Sequence, residues 1–163
     1  MKKNAIMVLL CVLSVSCMIG QNKLPNVSLK GIDNKSINIA HYNNSAKPVI
    51  VSFWATWCGP CIKELEAIKT KYAQWEKDYG VELVAVSIDD SKTINRVKPM
   101  VTSKGWKYKV LLDTNQELKR ALNVVNVPYT IILHKGKVMF THSNYTPGIE
   151  TKIEQELKKI VNN

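Results

Sequence analysis

The chain is short of several things. Its 163 residues include only seven glycines and six prolines, too few for a collagen-like or low-complexity polymer. Four cysteines cannot staple a chain of this length as a disulfide-dense mini-protein. No block of five like charges occurs, and no basic stripe carries interleaved aromatics. Nucleic acid is therefore not an expected partner, despite a formal charge of +10. The apolar stretch Ala5–Gly20 falls short of the roughly 20 residues that span a bilayer comfortably. What remains is an ordinary globular composition, 45% hydrophobic and 22% charged. The length suits one domain of roughly 100–200 residues.

Lys2 and Lys3 followed by Ala5–Leu13 form the charged and apolar regions of an export signal. The expected division is an export signal over residues 1–20 and one folded domain over residues 21–163. The small residues Ser14, Val15 and Ser16 precede Cys17, and a cysteine after such a site resembles the lipobox of bacterial lipoproteins. Ser14 stands where that box usually has Leu. Cys17 is thus a candidate lipidation site, with cleavage before Gln21 and an uncleaved N-terminal anchor as alternatives. Loss of Lys2 and Lys3 leaves a net charge of +8 on a lysine-rich surface.

Along the domain, Val27, Leu29, Ile37 and Ile39 alternate with polar residues around Gly31–Asn34, which predicts a hairpin. Val49–Trp54 is a nearly continuous β-branched and aromatic run, the mark of a strand buried on both faces. Ile62, Leu65, Ile68, Tyr72, Trp75 and Tyr79 then draw one stripe down a helix closed by Gly80. Val81–Ile88 reads as a second buried strand. Asp89-Asp90-Ser91 is expected to cap a helix broken near Pro99. Tyr108–Leu112 is a short strand, and Thr114–Glu117 reads as a capping box. Tyr129–Leu133 and Lys137–Thr141 form a hairpin through His134-Lys135-Gly136. Ile149, Ile153, Leu157 and Ile160 mark a final helix. Strands alternating with helices predict an α/β fold with a mixed sheet.

Chemistry concentrates in Trp57-Cys58-Gly59-Pro60-Cys61, between the buried strand and the helix. Two thiols three residues apart close a small disulfide ring. The partial positive charge of a helix N-terminus stabilises a thiolate there, supplying a nucleophile and a good leaving group at neutral pH. Pro60 sits in the first turn, where its missing N–H costs little, and Gly59 leaves Cys58 open to a partner. A zinc site would need four ligands; no second cysteine pair exists, and His41, His134 and His142 are scattered without ligand spacing. Neither metal nor cofactor is expected. A structural disulfide and a copper(I)-binding dithiol remain as lesser alternatives. Thr56 echoes the T-x-x-C of peroxiredoxins one residue short, and a resolving cysteine at C-x-x-C argues against a peroxidase.

The segment Phe53–Cys61 resembles the active-site segment of thioredoxin-fold proteins. With Ile62-Lys63-Glu64, the export signal and the N-terminal hairpin, it is similar to the TlpA/ResA type of thiol-disulfide oxidoreductase. The resemblance covers Leu24 to Val161. It implies a thioredoxin-like fold, a mixed central sheet flanked by helices, with an N-terminal β-hairpin extension and an inserted helical segment at Asp89–Lys107. It implies a redox-active Cys58–Cys61 disulfide and a cis-proline at Pro128 beside it, with Val127 offering backbone hydrogen bonds to substrate. Trp57, Gly59 and Pro60 belong to the same substrate-binding surface, and Trp54 with Trp57 is expected to wall the site. Cytosolic thioredoxins carry a buried Asp before the Phe-Trp pair; Ser52 stands there, and Glu64 fills the place of the glutamate of the TlpA/ResA type. Residues i and i+3 share a helix face, so Glu64 is a candidate for moving the Cys61 proton. Its bland alternative is a solvated glutamate paired with Lys63 or Lys69. The activity implied is reduction of protein disulfides in the bacterial periplasm or envelope. A membrane electron donor would re-reduce the site, and apocytochrome c thiols are a family substrate. The alternative is the same chemistry run as an oxidase or isomerase.

Overall fold

The computed structural model describes residues 23–162. The expected export signal, Cys17 and the alternative start at Gln21 lie outside the described residues.

Seven strands make one sheet in the order β2-β1-β5-β4-β3-β6-β7. They are β1 (Ser28–Gly31), β2 (Ser36–Asn38), β3 (Val49–Trp54), β4 (Glu82–Ser87), β5 (Lys109–Leu112), β6 (Tyr129–His134) and β7 (Lys137–Ser143). β3, β4 and β5 run parallel, while β6, β7, β1 and β2 are each antiparallel to their neighbours. This is the mixed sheet with an N-terminal hairpin that the pattern implied. β3 lies between β4 and β6, and all six of its residues are buried, which accounts for its unbroken apolar run.

The helices are α1 (Gly59–Tyr79), α2 (Val97–Lys104), α3 (Glu117–Ala121) and α4 (Ile149–Val161). On α1, Leu65, Ile68, Tyr72 and Trp75 are buried as the stripe predicted, and α1 packs against α4. Ile149, Ile153, Leu157 and Ile160 bury the inner face of α4. Each fully buried Leu or Ile side chain stabilises the fold by about 1.5–3 kcal/mol. Gly80 ends α1 at φ 63°, its N–H donating to Glu76 O at 3.0 Å, a left-handed cap that suits glycine.

Four local expectations differ from the structure. Ile39 leaves the strand pattern, and Ile39–Asn44 forms a 3-10 helix whose start is held by Asn38 accepting from Ala40 N–H. Asp89-Asp90 does not cap a long helix. Asp90 closes a turn by accepting from Lys92 and Thr93 N–H, and Asp89 turns inward. Pro99 does not break a helix either. It is the third residue of α2, inside the first turn, where no intrahelical N–H bond is lost. The capping box at Thr114–Glu117 does not form. Gln116 adopts φ 54° without a side-chain cap, and Asp113 receives the N–H groups of Leu118 and Lys119 at 3.2 and 2.8 Å. One acid just upstream does the work assigned to the threonine.

Candidate active site

β3 delivers the chain to the site and α1 takes it away. Between them Cys58 N–H donates to Ala55 O at 3.1 Å, closing a tight turn. Cys58 is the N-cap of α1 at φ −94°, ψ 92°, and Gly59 and Pro60 begin the helix. Pro60 thus occupies the first turn, as expected. A Cβ on Gly59 would meet nothing within 4 Å, so the approach over this residue is open.

Cys58 and Cys61 form a disulfide with Cα atoms 5.3 Å apart. The N–H of Cys61 donates to Cys58 Sγ at 3.2 Å. Cys58 is 6% exposed and Cys61 0%, so Cys58 is the more accessible of the two cysteines. The Val127–Pro128 peptide bond is cis, and Val127 O lies 3.7 Å from Cys58 Sγ. The cis-proline expected from the resemblance is therefore beside the disulfide. A groove of about 310 Å³ opens there, with Trp57, Ile88, Lys119, Val125, Val127 and Asn144 on its walls. Trp57, 58% exposed, presents its ring to it. Trp54 does not wall the site. It is fully buried, edge-on to Trp106 with centroids 5.0 Å apart, and Trp106 stacks on Tyr108. The loop after β7 contributes Asn144 to the groove, while none of the inserted segment Asp89–Lys107 lines it.

Glu64 is buried, at 1% exposure. Its Oε1 accepts from Thr130 Oγ1 at 2.6 Å and lies 3.5 Å from Ser52 Oγ, while Oε2 has no partner among the described residues. The solvated alternative fails, since Lys69 donates instead to Lys104 O. Burial raises the Glu64 carboxyl above its usual range, and the Thr130 and then the Ser52 hydroxyls pull it part of the way back.

Two residues near the site carry no site role in the sequence reading. Thr130 is the Cα partner of Ser52 across β3 and β6, a relation that needs the strand register. Asp89 is buried and receives Thr56 N–H at 2.9 Å, the Thr56 hydroxyl, and Ser87 Oγ–H at 2.8 Å. The signal was its place at the carboxyl end of a parallel strand, where functional crevices form. Ile88 N–H donates to Trp54 O at 2.8 Å, which sets Asp89 against the turn before Cys58.

A profile of the AhpC/TSA family matches residues 20–146. The thiol-disulfide oxidoreductase ResA of Bacillus subtilis is 34% identical over 116 residues, 71% of this chain and 62% of the relative. The chain thus spans less than two thirds of that protein's length. ResA of Bacillus thuringiensis subsp. konkukian is 31% identical over 139 residues, 83% of this chain and 75% of the relative. A thioredoxin-like protein from Porphyromonas gingivalis, solved in solution, has 43% identity and a TM-score of 0.75, covering 85% of this chain and 92% of that one. Sequence kinship and the sheet order agree: the chain belongs to the AhpC/TSA family, among its thioredoxin-fold thiol-disulfide oxidoreductases of the ResA type.

Proposed function

We propose that the protein reduces protein disulfides in the bacterial cell envelope through Cys58 and Cys61. The observation that carries this reading is the unequal setting of the two sulfurs. Cys58 Sγ lies 3.7 Å from the carbonyl of Val127, a residue of the groove wall, and receives the Cys61 N–H, whereas Cys61 is shut inside. In the reduced protein the same N–H and the start of α1 favour a Cys58 thiolate. That thiolate attacks one sulfur of a substrate disulfide, forming a mixed disulfide and releasing the other sulfur as a thiolate. Cys61 loses its proton to Glu64 and attacks Cys58 Sγ. The Cys58–Cys61 bond forms, the second substrate thiolate leaves, and two electrons have passed to the substrate. Val127 supplies backbone hydrogen-bonding groups to the bound chain, and Trp57, Gly59, Pro60 and Pro128 shape the surface around it.

Re-reduction requires a thiol donor at the membrane, because the exported compartment is oxidising. The signal-like segment over residues 1–20 supports export, and Cys17 is the proposed lipid attachment point. Apocytochrome c is the substrate that the resemblance suggests, its disulfide being reduced to the thiols. Thr56, the residue that echoes a peroxidase motif, is bonded to Asp89, which supports disulfide exchange over peroxide chemistry.

Cys61→Ser is expected to trap mixed disulfides with the physiological partner, and Cys58→Ser to abolish insulin-disulfide reduction. Full insulin reduction by Cys58→Ser would refute the mechanism. A site held mainly as the dithiol in cells supports reduction; a site held mainly oxidised supports an oxidase.

A further inference from the structure

β3 and β6 are apolar strands, each interrupted by a buried hydroxyl residue: Ser52 in VIVSFW and Thr130 in YTIILH. The two interruptions are Cα partners across the ladder, with their Oγ atoms 3.0 Å apart. Both face Glu64, the one buried acid of α1. Burying three polar groups costs stability unless they bond one another, and packing alone would be served as well by apolar residues of similar shape.

Counting protons orders the cluster. A hydroxyl donates once. Thr130 Oγ1 is 2.6 Å from Glu64 Oε1, and Ser52 Oγ is 3.0 Å from Thr130 but 3.5 Å from Glu64. The arrangement that uses both short contacts has Ser52 donating to Thr130 and Thr130 donating to Oε1. Oε2 is left buried without a partner among the described residues. Among the described residues no charged side chain perturbs Glu64: β3 presents Ser52, β6 presents Thr130, and Cys61 lies one turn earlier on α1.

We propose that Thr130 is a positioning residue for proton exchange at Cys61: its hydroxyl, oriented by Ser52, holds Glu64 Oε1 and leaves Oε2 as the oxygen that takes and returns the proton. This rests on the reading of Glu64 as the proton acceptor of Cys61. The proton leaves the Cys61 thiol as its sulfur becomes the attacking thiolate, resides on Oε2, and returns to Cys61 when the disulfide is reduced again. Thr130 also lies two residues beyond Pro128, so the strand that carries the substrate loop carries the group that orients the acid.

The test compares Thr130→Val, Thr130→Ser and the parent protein. Glu64 is titrated by carboxyl carbon NMR in the oxidised form, and the pH profile of insulin reduction is measured beside it. A lost hydrogen bond to the carboxylate should move the Glu64 half-point in Thr130→Val upward by about one pH unit, a tenfold change in proton affinity. Turnover below that half-point should fall about tenfold, and Thr130→Ser should restore both. An unshifted half-point in Thr130→Val, or a shift that serine does not restore, overturns the proposal. Should the valine variant not fold, Ser52→Ala is expected to move the half-point in the same direction by a smaller amount, and no movement there overturns it equally. The titration needs no turnover, so it decides the role of Thr130 even if the parent reduces no insulin. That last result would instead overturn the functional reading.

Discussion

Asp89→Ala offers a severe test of how the turn before Cys58 is held. The buried Asp89 carboxylate receives three donors: Thr56 N–H, the Thr56 hydroxyl and the Ser87 hydroxyl. Thr56 is nearly buried and Ser87 completely so. An orphaned buried donor costs about 1–3 kcal/mol. The two hydroxyls can rotate toward other acceptors, but the amide cannot, so the amide bears its cost in full and the hydroxyls only in part. The sum is about 3 kcal/mol, a large share of the roughly 5–15 kcal/mol that holds a domain together. Asp89→Asn keeps the volume and one acceptor oxygen and should cost about half as much. Urea unfolding followed by tryptophan fluorescence measures both. With a slope of about 1–3 kcal/mol per molar, the midpoint for alanine should fall by about 1–3 M. An alanine variant within about 1 kcal/mol of the parent at unchanged slope, or an asparagine variant as damaged as alanine, would show that the network does not hold the turn.

Further outcomes test the carboxyl behind the disulfide and the loop that closes the last hairpin. Folding raises the Glu64 pKa, so the native state binds this proton more tightly than the unfolded chain. Its contribution to stability is full below the unfolded value and is lost as pH rises through the folded value. Glu64→Gln, which cannot ionise, should therefore gain in Tm relative to the parent as pH rises above about 4; a difference that stays constant with pH would contradict the shift. Gly80 and Gly136 have similar backbone angles, φ 63° and 73°, but a Cβ at Gly136 would meet Asn43 O at 2.8 Å, whereas at Gly80 it finds only Lys47 carbons near 3.8 Å. Gly80→Ala should cost about 1 kcal/mol from conformation alone, and Gly136→Ala about 2 kcal/mol or more because backbone must also move. Equal losses in chemical unfolding would refute the steric part.

Much of this architecture is local, and local features are legible. The stripe from Ile62 to Tyr79 and the run Val49–Trp54 encode burial through spacing, and both elements lie where spacing puts them. Cys58 and Cys61 are neighbours in any helix start, and Glu64 shares a helix face with Cys61 from its place one turn beyond. What the sequence hid depends on partners far along the chain. Thr130 meets Glu64 only because β6 returns antiparallel to β3 in one register. Asp89 looked like a cap because its own neighbours are cap-forming, but the unpaired Thr56 amide more than thirty residues earlier competes for the carboxylate and wins. Asp113 displaced the Thr114 box in the same way, by offering a charged acceptor to two N–H groups at once. Trp54 was assigned to the site by adjacency, yet strand geometry turns it into the aromatic cluster with Trp106.

The acid behind the disulfide comes from a helix, whereas Ser52 occupies the sheet position in β3. Cys61 and Glu64 therefore ride on one rigid rod. A push on the first turn of α1 moves the Cys61 sulfur and the Glu64 carboxyl together, so their separation is preserved. The clearance that changes is between rod and sheet, at Thr130 and Ser52. Such a site tolerates displacement without parting that sulfur from that carboxyl, and it registers the displacement as a loosened or tightened grip on one carboxyl oxygen.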